Sequence, residues 1–128
     1  MSMKEIVMSS MAPEPIGPYS QGVASGGYVF LSGQVGRKHD ATELEKGVAA
    51  QTEQAILNLK AVLAEKNLTL DNVVKSTVFL ADMNDFAEMN AVYAEFFDED
   101  TAPARSTVQV AGLPLNADME IEVMASLD

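Results

Sequence analysis

The sequence predicts an α+β fold in which two helices cover one face of a mixed, mostly antiparallel sheet, and three observations lead to it. Short stretches that alternate apolar and polar residues, the pattern of half-buried strands, lie at both ends and in the middle of the chain. Two longer stretches repeat their apolar residues three and four positions apart, as amphipathic helices do. Their order is strand, strand, strand, helix, strand, helix, strand, strand, which lets both helices cover one sheet face. The opposite face mixes apolar and polar residues, an arrangement that invites subunits to pack face to face with pockets between them. At 128 residues the chain has the size of one domain, 1–128, without internal repeat or linker.

Residues 4–8 read as a short first strand. The segment after it, Met11-Ala12-Pro13-Glu14-Pro15-Ile16-Gly17-Pro18-Tyr19, packs three prolines and a glycine into six residues. That density excludes helix and sets Tyr19 on a fixed loop, as either a core anchor or the lid of a binding site. Residues 21–26 and 27–32 form a hairpin turning at Ser25-Gly26-Gly27, because paired glycines supply the positive φ of a tight turn. In Leu31-Ser32-Gly33-Gln34 the glycine either ends the strand or lets another group approach the backbone closely.

A polar loop over 35–41 leads to Thr42, with Glu45 three residues on at capping-box spacing, so a helix is predicted from there to about residue 66. Its stripe is Val48, Ala55, Leu59 and Val62, widened by Ile56 and Leu63, and Asn67 suits its C-terminal cap. Residues 73–80 make the next strand, and Asp82 caps a second helix over 83–97 whose buried stripe is Phe86, Met89, Tyr93, Phe96 and Phe97. Asn90 falls on the same stripe, where a buried amide needs partners. It can tie a loop to the helix, or orient a ligand or a neighbouring subunit's loop. Glu95, Asp98, Glu99 and Asp100 crowd the end of this helix against its dipole, so it frays before Thr101.

The strand over 103–110 carries one of only two arginines in a chain with nineteen acidic residues. Arg105, Thr107 and Gln109 share one face of it, and Ser106, Val108 and Val110 the other. An arginine beside two hydroxyls is suited to gripping a small carboxylate with its planar fork; the competing reading is an edge arginine paired with one of the many acids. A connection over 111–118 leads to the last strand, 119–126, with Glu120 and Glu122 on one face and Ile121 and Val123 on the other. Solvation of an exposed face accounts for both glutamates, and the alternative is that one stands near the arginine and activates water. If the last two strands form a hairpin, Thr107 and Gln109 lie closer to these acids than Arg105 does.

The net charge of −11 and the single adjacent basic pair, Arg37-Lys38, argue against nucleic acid as a partner. The absence of cysteine excludes disulfides and thiolate chemistry. His39 is the only histidine, so zinc binding or serine–histidine chemistry would have to run through one loop residue. The first ten residues lack the apolar run of a signal peptide, and no stretch reaches membrane-spanning length, so the expectation is a cytoplasmic protein without membrane contact.

Five stretches together carry a family resemblance. They are Ile16-Gly17-Pro18-Tyr19, Leu31-Ser32-Gly33-Gln34, the 73–80 strand with Asn84-Asp85-Phe86 and Asn90, Pro103-Ala104-Arg105-Ser106, and Met119-Glu120-Ile121-Glu122. In order and spacing the chain resembles the Rid, or YjgF-type, reactive intermediate deaminases across nearly its whole length. The resemblance implies a chorismate-mutase-like protomer and a homotrimer with sites between adjacent subunits. It also implies hydrolysis of small 2-imino acids such as 2-iminobutanoate and 2-iminopropanoate to 2-oxo acids and ammonia, with no cofactor and no metal. By the same resemblance Arg105 binds the substrate carboxylate, Glu120 is associated with the attacking water, and Tyr19, Asn90, Ser32 and Gly33 line the site. Thr107 stands where the family usually has cysteine and keeps the capacity for backbone hydrogen bonding to a ligand. Gln109 replaces a frequent glutamate. The resemblance extends to non-catalytic trimers that bind small carboxylates or regulate, and to proteins labelled as ribonucleases, a role that the low basic content disfavours.

Overall fold

The computed structural model describes residues 3–128; Met1 and Ser2 lie outside the described residues. The elements are β1 (Glu5–Val7), β2 (Gly22–Ser25), β3 (Tyr28–Val35), α1 (Val48–Ala64), β4 (Val73–Leu80), α2 (Phe86–Phe96), β5 (Ala104–Gln109) and β6 (Met119–Ser126). Six strands form one sheet in the order β1-β2-β3-β6-β4-β5, antiparallel throughout except for the parallel pair β4–β5. This is the α+β arrangement the sequence predicts, with both helices on one face. No helix among the described residues is long and apolar enough to cross a membrane.

The core forms where the two periodicities meet. Alternate residues of the central strands, Val29 and Leu31 on β3, Val78 and Leu80 on β4, and Met119, Ile121 and Val123 on β6, point to the helices and are buried. Ile56, Leu59, Val62 and Leu63 of α1 and Met89 and Tyr93 of α2 close over them. Each fully buried leucine or isoleucine contributes about 1.5–3 kcal/mol over its exposed state. The hairpin turns where the glycines predict, with Gly26 at φ 62° and Gly27 at φ 87°. Asn67 adopts φ 59° just beyond α1, and the Leu68 N–H donates to the Leu63 carbonyl at 3.1 Å, closing the helix end in a Schellman arrangement.

Three expectations require correction. The Thr42 and Glu45 capping box does not form: α1 begins at Val48 behind Gly47, whose φ is 89° and which makes no side-chain cap. The chain before it is held in another way, by the Arg37↔Leu44 bridge, by the Glu45 N–H donating to the Gly36 carbonyl at 2.9 Å, and by the Gln51 amide donating to the Glu45 carbonyl at 3.0 Å. Ser32-Gly33 does not end a strand either. β3 runs on to Val35 through a bulge, with Leu31 opposite Val123 but Gln34 opposite Ile121, so one extra residue enters β3 between them. Finally, β5 and β6 are not a hairpin. β5 pairs in parallel with β4 after the α2 crossover, and the 110–118 connection carries the chain back to place β6 between β3 and β4.

Candidate active site

The structure gathers the predicted site residues into two separate groups. Register fixes which side of the sheet each one faces. Arg105 is level with Ser76 on β4 and Val123 on β6, both buried under the helices. Glu120 is level with Phe79 and, through it, with Val108, on the uncovered face. Cross-strand neighbours share a face, so Arg105 and Glu120 point to opposite sides of one sheet.

On the helix side, α2 supplies a seat for the arginine. Arg105 Nη1 donates to Asn90 Oδ1 at 2.7 Å, and the guanidinium carbon lies 4.6 Å from the Tyr93 ring centre and 5.6 Å from that of Phe86. The helical spacing of Phe86, Asn90 and Tyr93 produces this seat, since residues three and four apart share a face. The Tyr93 hydroxyl is in turn bonded to Ser76 Oγ at 2.7 Å. Burial pushes the phenol's pKa up, opposed by that bond and by the arginine's charge. Among the described residues no carboxylate lies within ion-pair distance of Arg105; the salt bridge present is Lys66–Glu5. The competing reading of a paired edge arginine therefore does not hold, and its remaining N–H donors are available to a ligand.

Thr107 lies beside this group on the sheet's free edge. The Val110 N–H donates to the Leu80 carbonyl at 2.9 Å, and peptide groups along a strand alternate between its two edges. The N–H and C=O of Thr107 therefore point away from β4, toward the unpaired side. Gln109 is tied down, its Oε1 accepting from the Met83 N–H at 2.7 Å.

The second group surrounds Glu120. The β3 bulge brings Gly33 beneath this side chain so closely that a Cβ at Gly33 would lie 2.8 Å from the Glu120 carboxyl carbon and Oε1. The close-approach reading of that glycine therefore holds. Ser32 Oγ donates to the Ser20 carbonyl at 2.5 Å, and the Ser32 N–H to the Gln21 carbonyl at 2.9 Å, pinning the bulge to the loop that carries Tyr19. Tyr19 closes a tight turn through its own N–H, 2.8 Å from the Gly17 carbonyl. It lines, with Ile16, Gly33, Arg37, Leu115 and Glu120, a cavity of about 70 Å³. Half-burial, and secondarily Glu122 on the same face, hold the Glu120 carboxyl above the usual carboxylate range.

Sequence reading missed two features of this site. Phe86 and Tyr93 pack with the core as their stripe predicts, and the Phe-x-x-x-Asn-x-x-Tyr spacing facing a strand arginine is the available signal for their second role as a cation–π seat. Leu115 went unnoticed because nothing in sequence marks it. It sits at φ 59°, followed by Asn116 at φ 61°, and a left-handed leucine costs about 1–2 kcal/mol. His39 lies elsewhere, beside Lys38, Leu57 and Lys60 in a larger hollow of about 520 Å³ that contains none of the predicted site residues. Among the described residues, no group of three or more histidine, cysteine, aspartate or glutamate side chains is arranged to hold a metal.

The family model described as Endoribonuclease L-PSP matches residues 9–127. A RutC family protein of Synechocystis is 47% identical, with 99% of this chain and 98% of that protein aligned. The Escherichia coli protein provisionally named reactive intermediate deaminase TdcF is 44% identical over 96% of this chain and 97% of its own. A crystal structure of E. coli TdcF with bound serine superimposes with a TM-score of 0.89 at 43% identity, covering 95% of this chain and 98% of that one.

Proposed function

The chain belongs to the Endoribonuclease L-PSP family, that of the Rid or YjgF-type proteins, and from that premise we propose that it is a reactive intermediate deaminase hydrolysing 2-imino acids, 2-iminobutanoate and 2-iminopropanoate among them, to 2-oxo acids and ammonia. The observation that carries this reading is the division of the site. A seated arginine with free donors and a carboxyl of raised pKa are the two groups imine hydrolysis needs, and they stand on opposite faces of one sheet. One substrate can meet both only where Arg105 of one copy faces Glu120 of another, which calls for an oligomer with its sites between subunits, and the homotrimer is the assembly that the family resemblance implies.

In that site Arg105 grips the substrate carboxylate through charge-assisted hydrogen bonds and fixes the imine carbon beside a water held by Glu120. Glu120 accepts a proton from the water as it attacks the carbon of the N-protonated imine, giving a neutral carbinolamine. It then passes that proton to nitrogen and takes up the hydroxyl proton as the C–N bond breaks, releasing ammonia and leaving the ketone, and finally gives the proton up to solvent. A carboxyl whose pKa is raised by partial burial holds a proton more readily than an ordinary carboxylate, which suits it to hand the proton back. The Thr107 peptide group and the Ser32-Gly33 bulge complete the enclosure, and Tyr19 lines it. Serine bound to a relative of this fold supports a small amino-acid-like carboxylate as ligand. Against ribonuclease action, a net charge of −11 gives little grip on a phosphodiester backbone.

The test follows the decay of freshly generated 2-iminopropanoate and 2-iminobutanoate. Wild-type protein accelerates it, Arg105→Ala lowers kcat/KM by about 10²-fold, and co-assembly of Arg105→Ala with Glu120→Gln restores about a quarter of the sites, the random-mixing expectation for sites shared between copies. A folded wild-type trimer that binds 2-oxo acids without acceleration makes the protein a carboxylate-binding or regulatory trimer instead.

A further inference from the structure

Leu115 occupies a backbone conformation that leucine avoids, at φ 59° directly before Asn116 at φ 61°. Asparagine tolerates this region and leucine does not, and strain of this kind collects where the resulting side-chain position is used. The core does not require it, since Leu115 is 51% exposed. The turn itself is held by backbone bonds, from the Asn116 N–H to the Leu113 carbonyl and from the Ala117 N–H to the Pro114 carbonyl, both at 3.1 Å.

What the conformation achieves is to set Leu115 in the wall of the Glu120 cavity together with Ile16 and Tyr19. Ile16 is 79% exposed and Tyr19 51%, so three large apolar side chains avoid the core and gather beside one carboxyl. Both sides of this wall are stiff. Pro13, Pro15 and Pro18 fix the Ile16 segment, and Pro114 precedes Leu115, so an apolar ligand group loses little to ordering of the protein.

Resting on the deaminase reading, we infer that Leu115 determines substrate specificity: with Ile16 and Tyr19 it receives the substrate's side chain, and the preferred substrates are 2-imino acids with extended or branched apolar side chains rather than methyl, polar or acidic ones. Arg105 and Glu120 handle the atoms common to every 2-imino acid, and this wall reads the part that differs.

The experiment titrates assembled wild-type protein and Leu115→Gly calorimetrically with two stable product acids, pyruvate and 4-methyl-2-oxopentanoate, and records thermal midpoints and imine turnover alongside. Wild-type protein binds the branched acid more tightly. In Leu115→Gly that advantage falls by about tenfold, while the midpoint holds or rises because glycine accepts positive φ. Leu115→Asn, which tolerates the same backbone but is polar, loses the preference as well and supplies the comparison if the glycine variant does not assemble. A wild-type protein that binds neither acid or prefers pyruvate overturns the inference, as does a preference that survives both substitutions. Binding without turnover removes the deaminase reading and leaves the specificity wall; turnover with an unaltered preference does the reverse.

Discussion

The two faces of the sheet build their halves of the site in different ways. On the helix face, Arg105 is held by Asn90, Tyr93 and Phe86 before any ligand or partner arrives, and the seat is continuous with the core through the bond from Tyr93 to Ser76. On the open face, Glu120 has no protein hydrogen-bond donor among the described residues. Its position comes from a glycine that lets it lie flat, and its proton affinity from partial loss of water. Arg105, the proposed grip, is thus fixed by packing, whereas Glu120, the proposed proton carrier, is set by what surrounds it. Substitutions should therefore affect the two halves unequally.

Glu120→Gln is the largest test of that contrast. It removes the proton carrier without disturbing packing, so kcat falls by about 10²-fold or more while 2-oxo acid binding persists. The same variant isolates a pH effect. Because the folded-state pKa of Glu120 is raised, the folded protein keeps this proton longer than the unfolded chain does. Stability from this group is therefore fullest at low pH and diminishes as pH rises from the ordinary carboxylate range through the raised value, and Glu120→Gln flattens that slope in denaturant midpoints measured against pH. An unchanged kcat would mean that Glu120 is merely a solvated strand residue.

Gly33→Ala comes next. The new methyl meets the flexible end of Glu120, with the carboxyl carbon and Oε1 each 2.8 Å away, so the side chain swings aside and the strand survives. The expected result is a loss of about tenfold in kcat with a denaturation midpoint close to wild type, since a 1 Å displacement of a catalytic group costs on that order or more. A variant that unfolds instead would show the bulge to be structural and weaken the contrast. The smallest effect belongs to Tyr93→Phe, which keeps the ring beside Arg105 but orphans the buried Ser76 hydroxyl and costs about 1–2 kcal/mol of stability in chemical denaturation. A loss confined to stability assigns the grip to stacking and Asn90. A parallel loss of 2-oxo acid affinity would make the phenol bond part of it.

Much of this could be read from the chain. β4 and β6 occupy the residues that period-two alternation marks, Asn67 ends α1 as its left-handed tolerance suggests, and Asn90 finds a partner as a half-buried amide must. What sequence could not give is parity across strands. Alternation tells which residues of one strand share a face, so Arg105 with Thr107 and Glu120 with Glu122 follow directly. Whether the arginine's face is the glutamate's depends on strand order, and β4 lies between the two strands that carry them. The bulge is a second case. Leu31 and Gln34, three apart, are both buried, which strict alternation forbids and one inserted residue permits. The capping box failed because Thr42 and Glu45 satisfy only a local pattern, while the bridge from Arg37 to Leu44 and the close packing of Gly36 against Gln51 are tertiary.

The unpaired edge of β5 bears on protein quality control as well as on ligand binding. A free copy displays six residues of open strand edge beside an uncovered face that includes Phe30 at 44% exposure and Val108 at 41%. That combination is an adhesive strip for any extended segment of a nascent or damaged polypeptide. Pro103 at the head of the strand and the charge of Arg105 act as gatekeepers against strand addition. The backbone groups that the proposed site leaves open to a ligand must therefore be defended against aggregation.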